Sequence, residues 1–228
     1  MRLEQIARPE TGCLAYLVVD EATHDALAID PPEDPAPVLE RARALGARIT
    51  RVAETHTHAD HKSGARALAA KVGARIWLPE KSGAQFPHEA VRDGAELRVG
   101  DAKLRAIATP GHTADAMCFV GDGKAIVGDT LLVGTAGRAD FYPQGPEELF
   151  HSLFDKLLKL DDAVVVYPAH YGPKHGLPPE VVTTIGHERR ANEALTQKTK
   201  DDFVKYMTEG WPPKPHGWQE IVAANTQA

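Results

Sequence analysis

The sequence predicts an α/β sandwich: two mixed β-sheets packed face to face and flanked by helices. Three observations carry this reading. Short strand-like runs come in pairs joined by turns, and helical runs interrupt them without a strict βαβα alternation. No proline- or glycine-rich linker divides the 228 residues. That length is ample for one large core. Residues 1–228 are therefore expected to form a single domain, with an irregular tail rich in proline and tryptophan from about position 210.

The elements follow in order. Residues 14–19 and 26–30 read as strands around the polar turn 20–25. Pro31, Pro32, Pro35 and Pro37 then break the pattern, and residues 38–45 have helical spacing ending at Gly46. Residues 48–53 form a short strand, and the alanine-rich stretch 64–72 is a helix closed by Gly73. Strands are expected at 75–78, 97–99 and 103–109, then at 117–120 and 124–127 around the turn Gly121-Asp122-Gly123. That glycine trio lacks a following helix, so it is a hairpin turn and not a phosphate loop. Residues 147–160 predict one amphipathic helix after Pro146, apolar at Leu149, Phe150, Leu153, Leu157 and Leu160. A buried strand at 164–167 and helices near 180–195 and 201–207 complete the chain. Trp211 and Trp218 pack the tail onto the body or onto the second subunit of a homodimer.

Composition excludes several function classes. Net charge is −6, from 26 basic and 32 acidic residues without long runs of either sign, which argues against a nucleic-acid surface. No apolar run approaches the roughly 18–20 residues that span a bilayer. The first ten residues lack the apolar stretch of a signal peptide. Cys13 and Cys118 each sit in an apolar run, as buried reduced thiols do. A cytoplasmic protein is expected.

Histidine is the unusual component. Of 11 histidines, five fall in three short motifs at strand ends. His56, His58, Asp60 and His61 follow the strand at 48–53; His112 follows 103–109; Asp129 follows 124–127; His170 follows 164–167. Loops at strand ends present side chains to a shared cleft, and imidazole with carboxylate suits zinc or non-haem iron. On an extended segment His56 and His58 point to one side, while Asp60 and His61 fall on the turn opening the next helix. Taken singly, Asp60 is an N-cap and His170 a satisfied buried histidine. The whole constellation points to a metal site of one or two ions.

The run His56-Thr57-His58-Ala59-Asp60-His61 resembles the His-x-His-x-Asp-His signature of the metallo-β-lactamase superfamily. Gly111-His112-Thr113, Gly128-Asp129 and Pro168-Ala169-His170 are similar to its later motifs, in the same order. The resemblance implies the αββα sandwich of that superfamily. Gly137-Arg138-Ala139-Asp140-Phe141 is similar to the Gly-Arg-Thr-Asp-Phe segment of its persulfide dioxygenase branch. Tyr167 before Pro168, Glu188-Arg189, Asn192, Phe203-Val204-Lys205 and Pro213-Lys214-Pro215 resemble the same branch.

That resemblance implies one Fe(II) per chain held by His56, His112 and Asp129. His58, Asp60, His61 and His170 would surround it or, alternatively, complete a site for two zinc ions, as in thioester hydrolases of the glyoxalase II type. The implied reaction is oxidation of glutathione persulfide, or a similar small persulfide, by O₂ and water to sulfite and thiol. The chain departs from the branch after His170, where Tyr171-Gly172 stands in place of the usual Asp-Tyr and a longer loop follows. Arg138, Tyr171, Lys174 and Arg189 are the expected anchors for the substrate's carboxylates.

Overall fold

Strand β2 (Cys13–Val19) is apolar and buried at every position, which requires cover on both faces of its sheet. Its alternate side chains supply it. Leu14, Tyr16 and Val18 enter a core shared with Leu104, Phe119 and Ile126, whereas Ala15, Leu17 and Val19 enter another shared with Val38 and Leu68. The first core lies between two sheets and the second lies between a sheet and its helices.

The computed structural model describes residues 1–197 and 199–228. The first sheet runs in the order β1 (Arg2–Arg8), β2, β3 (Asp25–Ile29), β4 (Arg48–Ala53), β5 (Arg75–Pro79), β6 (Glu89–Val91). Its first pairings are antiparallel and those from β3 to β6 parallel. The parallel crossovers carry α1 (Ala36–Ala44) and α2 (Ala65–Val72). The second sheet runs β12 (Thr183–Thr184), β11 (Val165–Pro168), β10 (Lys124–Gly128), β9 (Met117–Gly121), β8 (Ala102–Ala108), β7 (Glu96–Val99). It too is mixed, with only β10 and β11 parallel. Its outer face packs on Leu149, Leu153 and Leu157, and on Phe203 and Met207 of α5 (Lys200–Thr208). The result is the helix–sheet–sheet–helix order that the sequence predicts.

Four local expectations need correction. The run 147–160 is not one α-helix: α3 (Gly145–His151) passes into a π turn at Ser152–Lys156 and a 3₁₀ turn at Leu157–Lys159. The change of pitch coincides with two polar anchors, Ser152 Oγ donating to Pro110 O at 2.6 Å and Lys156 Nζ donating to Ala108 O at 2.5 Å. Helix α4 (Ile185–Ala191) starts later than position 180, because Thr183 and Thr184 pair with β11 as β12, and Thr184 then caps the helix through His187 N at 3.1 Å. The edge strands β1 and β6 are additional. So is α6 (Trp218–Thr226), a helix that follows the irregular tail at 211–217. Among the described residues, no helix is long and apolar enough to cross a membrane.

Candidate metal centre

His56, His112 and Asp129 stand at the ends of three strands and converge at one point. Beyond β4 the chain turns sharply, and Asp30 captures Thr55 through its backbone N–H and its hydroxyl, both at 2.7 Å. With the Thr55 hydrogen spent on Asp30, its oxygen accepts from His56 Nδ1 at 2.9 Å. His56 Nε2 is then the free nitrogen, buried and without a hydrogen-bond partner among the described residues. Burial and the neighbouring His58 and His112 hold the His56 pKa well below its ordinary value, so the ring offers a lone pair.

His112 is fixed in the same manner. Its Nδ1 donates to Arg138 O at 2.8 Å, which directs Nε2 toward Asp129. The preceding Gly111 has φ +149°, and a Cβ there would lie 2.5 Å from Leu149 Cα, so glycine lets the loop lie against α3. Asp129 leaves β10 with Oδ2 at 3.9 Å from His56 Nε2 and 3.4 Å from His112 Nε2. Its backbone carbonyl is approached so closely by Gly137 that a Cβ there would sit 2.0 Å away. One donor atom from each of His56, His112 and Asp129 lies within 4.8 Å of the others. Burial opposes the Asp129 charge, but His170 and His112 outweigh it and hold the carboxyl far below its usual range.

The remaining histidines have other partners. His170 Nδ1 donates to Asp129 Oδ1 at 2.7 Å and its Nε2 donates to Asp60 Oδ2 at 3.0 Å. A ring between two carboxylates holds both its protons, and although burial opposes the charge its pKa is raised well above the ordinary value. His58 turns its Nε2 onto Glu54 at 3.0 Å and Asp30 at 3.4 Å. Burial again opposes the charge, and the two carboxylates again outweigh it. His61 Nδ1 donates to Asp60 Oδ2 at 3.0 Å. The structure thus gathers all seven predicted residues, and among the described residues His56, His112 and Asp129 are the convergent donor group made entirely of them.

A cleft of about 610 Å³ opens over this point, lined by Asp60, His112, Asp129, Arg138, His170 and Lys174. Two expected substrate anchors lie elsewhere. Arg189 sits in the last turn of α4, donating to Asp162 and to Leu158 O, where it ties α4 to the end of the preceding helical segment. Tyr171 packs its ring against the inter-sheet core. Arg138 does line the cleft, but its guanidinium is used by the protein. Nε and Nη2 grip Asp140 at 2.7 and 2.9 Å, while Nη2 and Nη1 hold Pro212 O and Pro213 O at 2.9 and 3.1 Å. Arg138 thereby fastens the tail beside the cleft, and Lys174 is left as the lysine on its wall.

Sequence reasoning missed Glu54 and Asp30, the carboxylates that claim His58. It also read Cys13 only as a core thiol. Cys13 Sγ is 3.9 Å from Asp60 Oδ2, and its pKa is lowered to about 6: burial would raise it, but the neighbouring imidazoles of His170 and His175 prevail. Glu54 is adjacent to the histidine run in sequence, whereas Asp30 and Cys13 come from other strands and left no local signal.

The sequence profile described as the metallo-beta-lactamase superfamily matches residues 8–170. The human protein named persulfide dioxygenase ETHE1, mitochondrial, is 34% identical over 227 residues, spanning 98% of this chain and 87% of its own. Among solved structures, ETHE1 from Myxococcus xanthus superimposes with a TM-score of 0.89 at 33% identity, covering 99% of this chain and 96% of that one. A metallo-beta-lactamase from Staphylococcus aureus subsp. aureus COL gives a TM-score of 0.93 at 27% identity, over 100% of this chain and 72% of that one.

Proposed function

The chain belongs to the metallo-β-lactamase superfamily and, within it, to the persulfide dioxygenase branch; on that premise we propose that it oxidises glutathione persulfide, or a similar small persulfide, with O₂ and water to sulfite and the free thiol. It does so with a single Fe(II) held by His56, His112 and Asp129. The donor set fits that ion. Two imidazole nitrogens and a carboxylate oxygen on one side leave room for further ligands from the cleft, as in two-histidine, one-carboxylate iron sites. Held there, Fe(II) would supply the redox chemistry that oxidation of a thiolate by O₂ requires.

The observation that favours one ion over two is the commitment of the other histidines. A second ion would need Asp60, His61 and His170, yet His170 Nε2 donates to Asp60 at 3.0 Å and His61 donates to the same oxygen at 3.0 Å. His58 is further removed, with its Nε2 on the Glu54 and Asp30 carboxylates. Each of these nitrogens thus has a carboxylate partner within the protein. The chain's own part in the reaction is therefore to orient and exclude. His170 fixes Asp129 Oδ1 and leaves Oδ2 to face the ligand point. Arg138 holds the tail beside the cleft, and Lys174, on the cleft wall, would pair with a substrate carboxylate.

The test is metal analysis of protein purified with both iron and zinc available, with oxygen uptake measured on glutathione persulfide. About one iron per chain with little zinc is expected for a two-histidine, one-carboxylate site. Roughly two zinc ions per chain, with hydrolysis of a glutathione thioester and no oxygen uptake after iron loading, would overturn the proposal in favour of a zinc hydrolase.

A further inference from the structure

Helix α6 (Trp218–Thr226) has no fully buried residue, yet it is tied to the metal loop by one side chain. Asn225 Nδ2 donates to the carbonyls of His58 and His61, each at 3.0 Å, and its Oδ1 accepts from Ser63 N at 2.9 Å. Only one orientation of the amide satisfies this set, because two carbonyls require donors and one N–H requires an acceptor. Flanking bonds fasten the same turn: Gln85 N donates to Thr226 O at 2.7 Å, and Arg66 Nη1 donates to Gln227 O at 2.9 Å. At the other end of α6, Trp218 lies 5.3 Å from Phe141, whose ring meets His112 edge-on at 5.4 Å. The helix thus touches both shoulders of the ligand point.

We infer that Asn225 is a positioning residue for the metal centre. Its two donated bonds fix the chain on either side of Asp60. The Asp60 carboxylate holds His170, and His170 holds the Asp129 carboxylate. Loss of the clamp frees the Asp60 turn, and the restraint on Asp129 weakens with it. This inference rests on His56, His112 and Asp129 being the ligands. A group that acts through ligand orientation typically changes metal affinity by about 10–100-fold when removed.

The experiment uses the full chain and two variants, Asn225→Ala and Asn225→Asp. Aspartate keeps the size of the side chain and the acceptor for Ser63 N, but sets a carboxylate oxygen against two carbonyls. Fe(II) affinity is measured anaerobically by competition with a chelator, beside the melting temperature of the metal-free protein. Both variants should bind iron about 10–100-fold more weakly than wild type. At saturating iron, KM for the persulfide should be unchanged. Wild-type affinity in Asn225→Asp would overturn the inference, since shape alone would then suffice. So would a lower metal-free melting temperature in both variants with iron affinity unchanged, which is the signature of simple packing. If His112→Ala retained full iron affinity, the ligand assignment itself would fail, an outcome distinct from either.

Discussion

His56 and His58 stand two positions apart with ring centroids 4.2 Å apart, yet they serve opposite ends. Thr55 accepts from His56 Nδ1 and leaves a bare Nε2, while Glu54 and Asp30 take His58 Nε2 and keep that ring charged. The two rings do lie together, but in a bend at positions 55–56 and not on the extended segment that alternation assumes. Alternation does not say which nitrogen each ring spends, because that depends on Asp30, which arrives from a different strand. The two histidines should therefore fail differently on substitution. His112→Ala, like His56→Ala, should strip the iron and abolish turnover while the metal-free protein melts close to wild type; Asp129→Ala should also strip the iron, but it takes a buried partner from His170 and lowers stability as well. His58→Ala should leave two buried carboxylates without their cation, a loss of about 3–5 kcal/mol of stability. Metal content and denaturant unfolding of the metal-free proteins separate the two cases. A His58→Ala protein as stable as wild type but devoid of iron would show that His58 is a ligand.

Turns between strands join the two sheets, and one of them titrates. Asp20, in the turn from β2 to β3, accepts from Thr23 Oγ1 at 2.7 Å and from Asp101 N at 3.0 Å, and Asp101 lies in the β7–β8 turn of the other sheet. Those bonds, Asp101 N first, pull its pKa down to about 2. In the unfolded chain an aspartate titrates near 3.9, so between the two values the unfolded state binds more protons. The contribution of Asp20 is therefore present above about pH 4 and lost as the pH falls through about 2. In urea titrations at a series of pH values, Asp20→Asn should show a shallower acid limb than wild type; an identical limb would sink the assignment. Sequence legibility at this scale followed the same physics. Strands that end in motifs, such as β4, β8 and β10, were readable because apolar runs stop at turn residues. Strand β1 was not, since Arg2, Glu4, Gln5 and Arg8 make a polar edge without a clean alternation. Helix α6 was hidden by the preceding prolines and by its start at Gly217, which has φ +70° and offers no capping side chain.

The molecule as a whole is two sheets that must close at one end before a metal can be held between them. Tyr16 makes part of that closure. It is fully buried in β2 of the first sheet, and its hydroxyl donates to Pro168 O in β11 of the second, two residues before His170. Backbone bonds reinforce the seam: Leu14 N donates to Ala169 O at 2.8 Å, and Tyr171 N donates to Gly12 O at 3.0 Å. Gln5 Nε2 donates to the Tyr16 oxygen at 3.1 Å, so that one hydroxyl joins β1, β2 and β11. Tyr16→Phe keeps the ring, which meets Tyr167 edge-on at 5.9 Å, and removes only the oxygen. The Pro168 carbonyl then loses a buried donor, at a cost of about 1–3 kcal/mol. For a chain of this size that is a fall in Tm of roughly 2–12 °C. The midpoint in urea should move down with an unchanged slope, because the surface exposed on unfolding is the same. Iron affinity should change little, since the backbone seam still carries His170 to Asp129. An unshifted Tm would mean that Pro168 O has another partner in solution. A large loss of iron at unchanged stability would place Tyr16 within the metal centre instead of the frame around it.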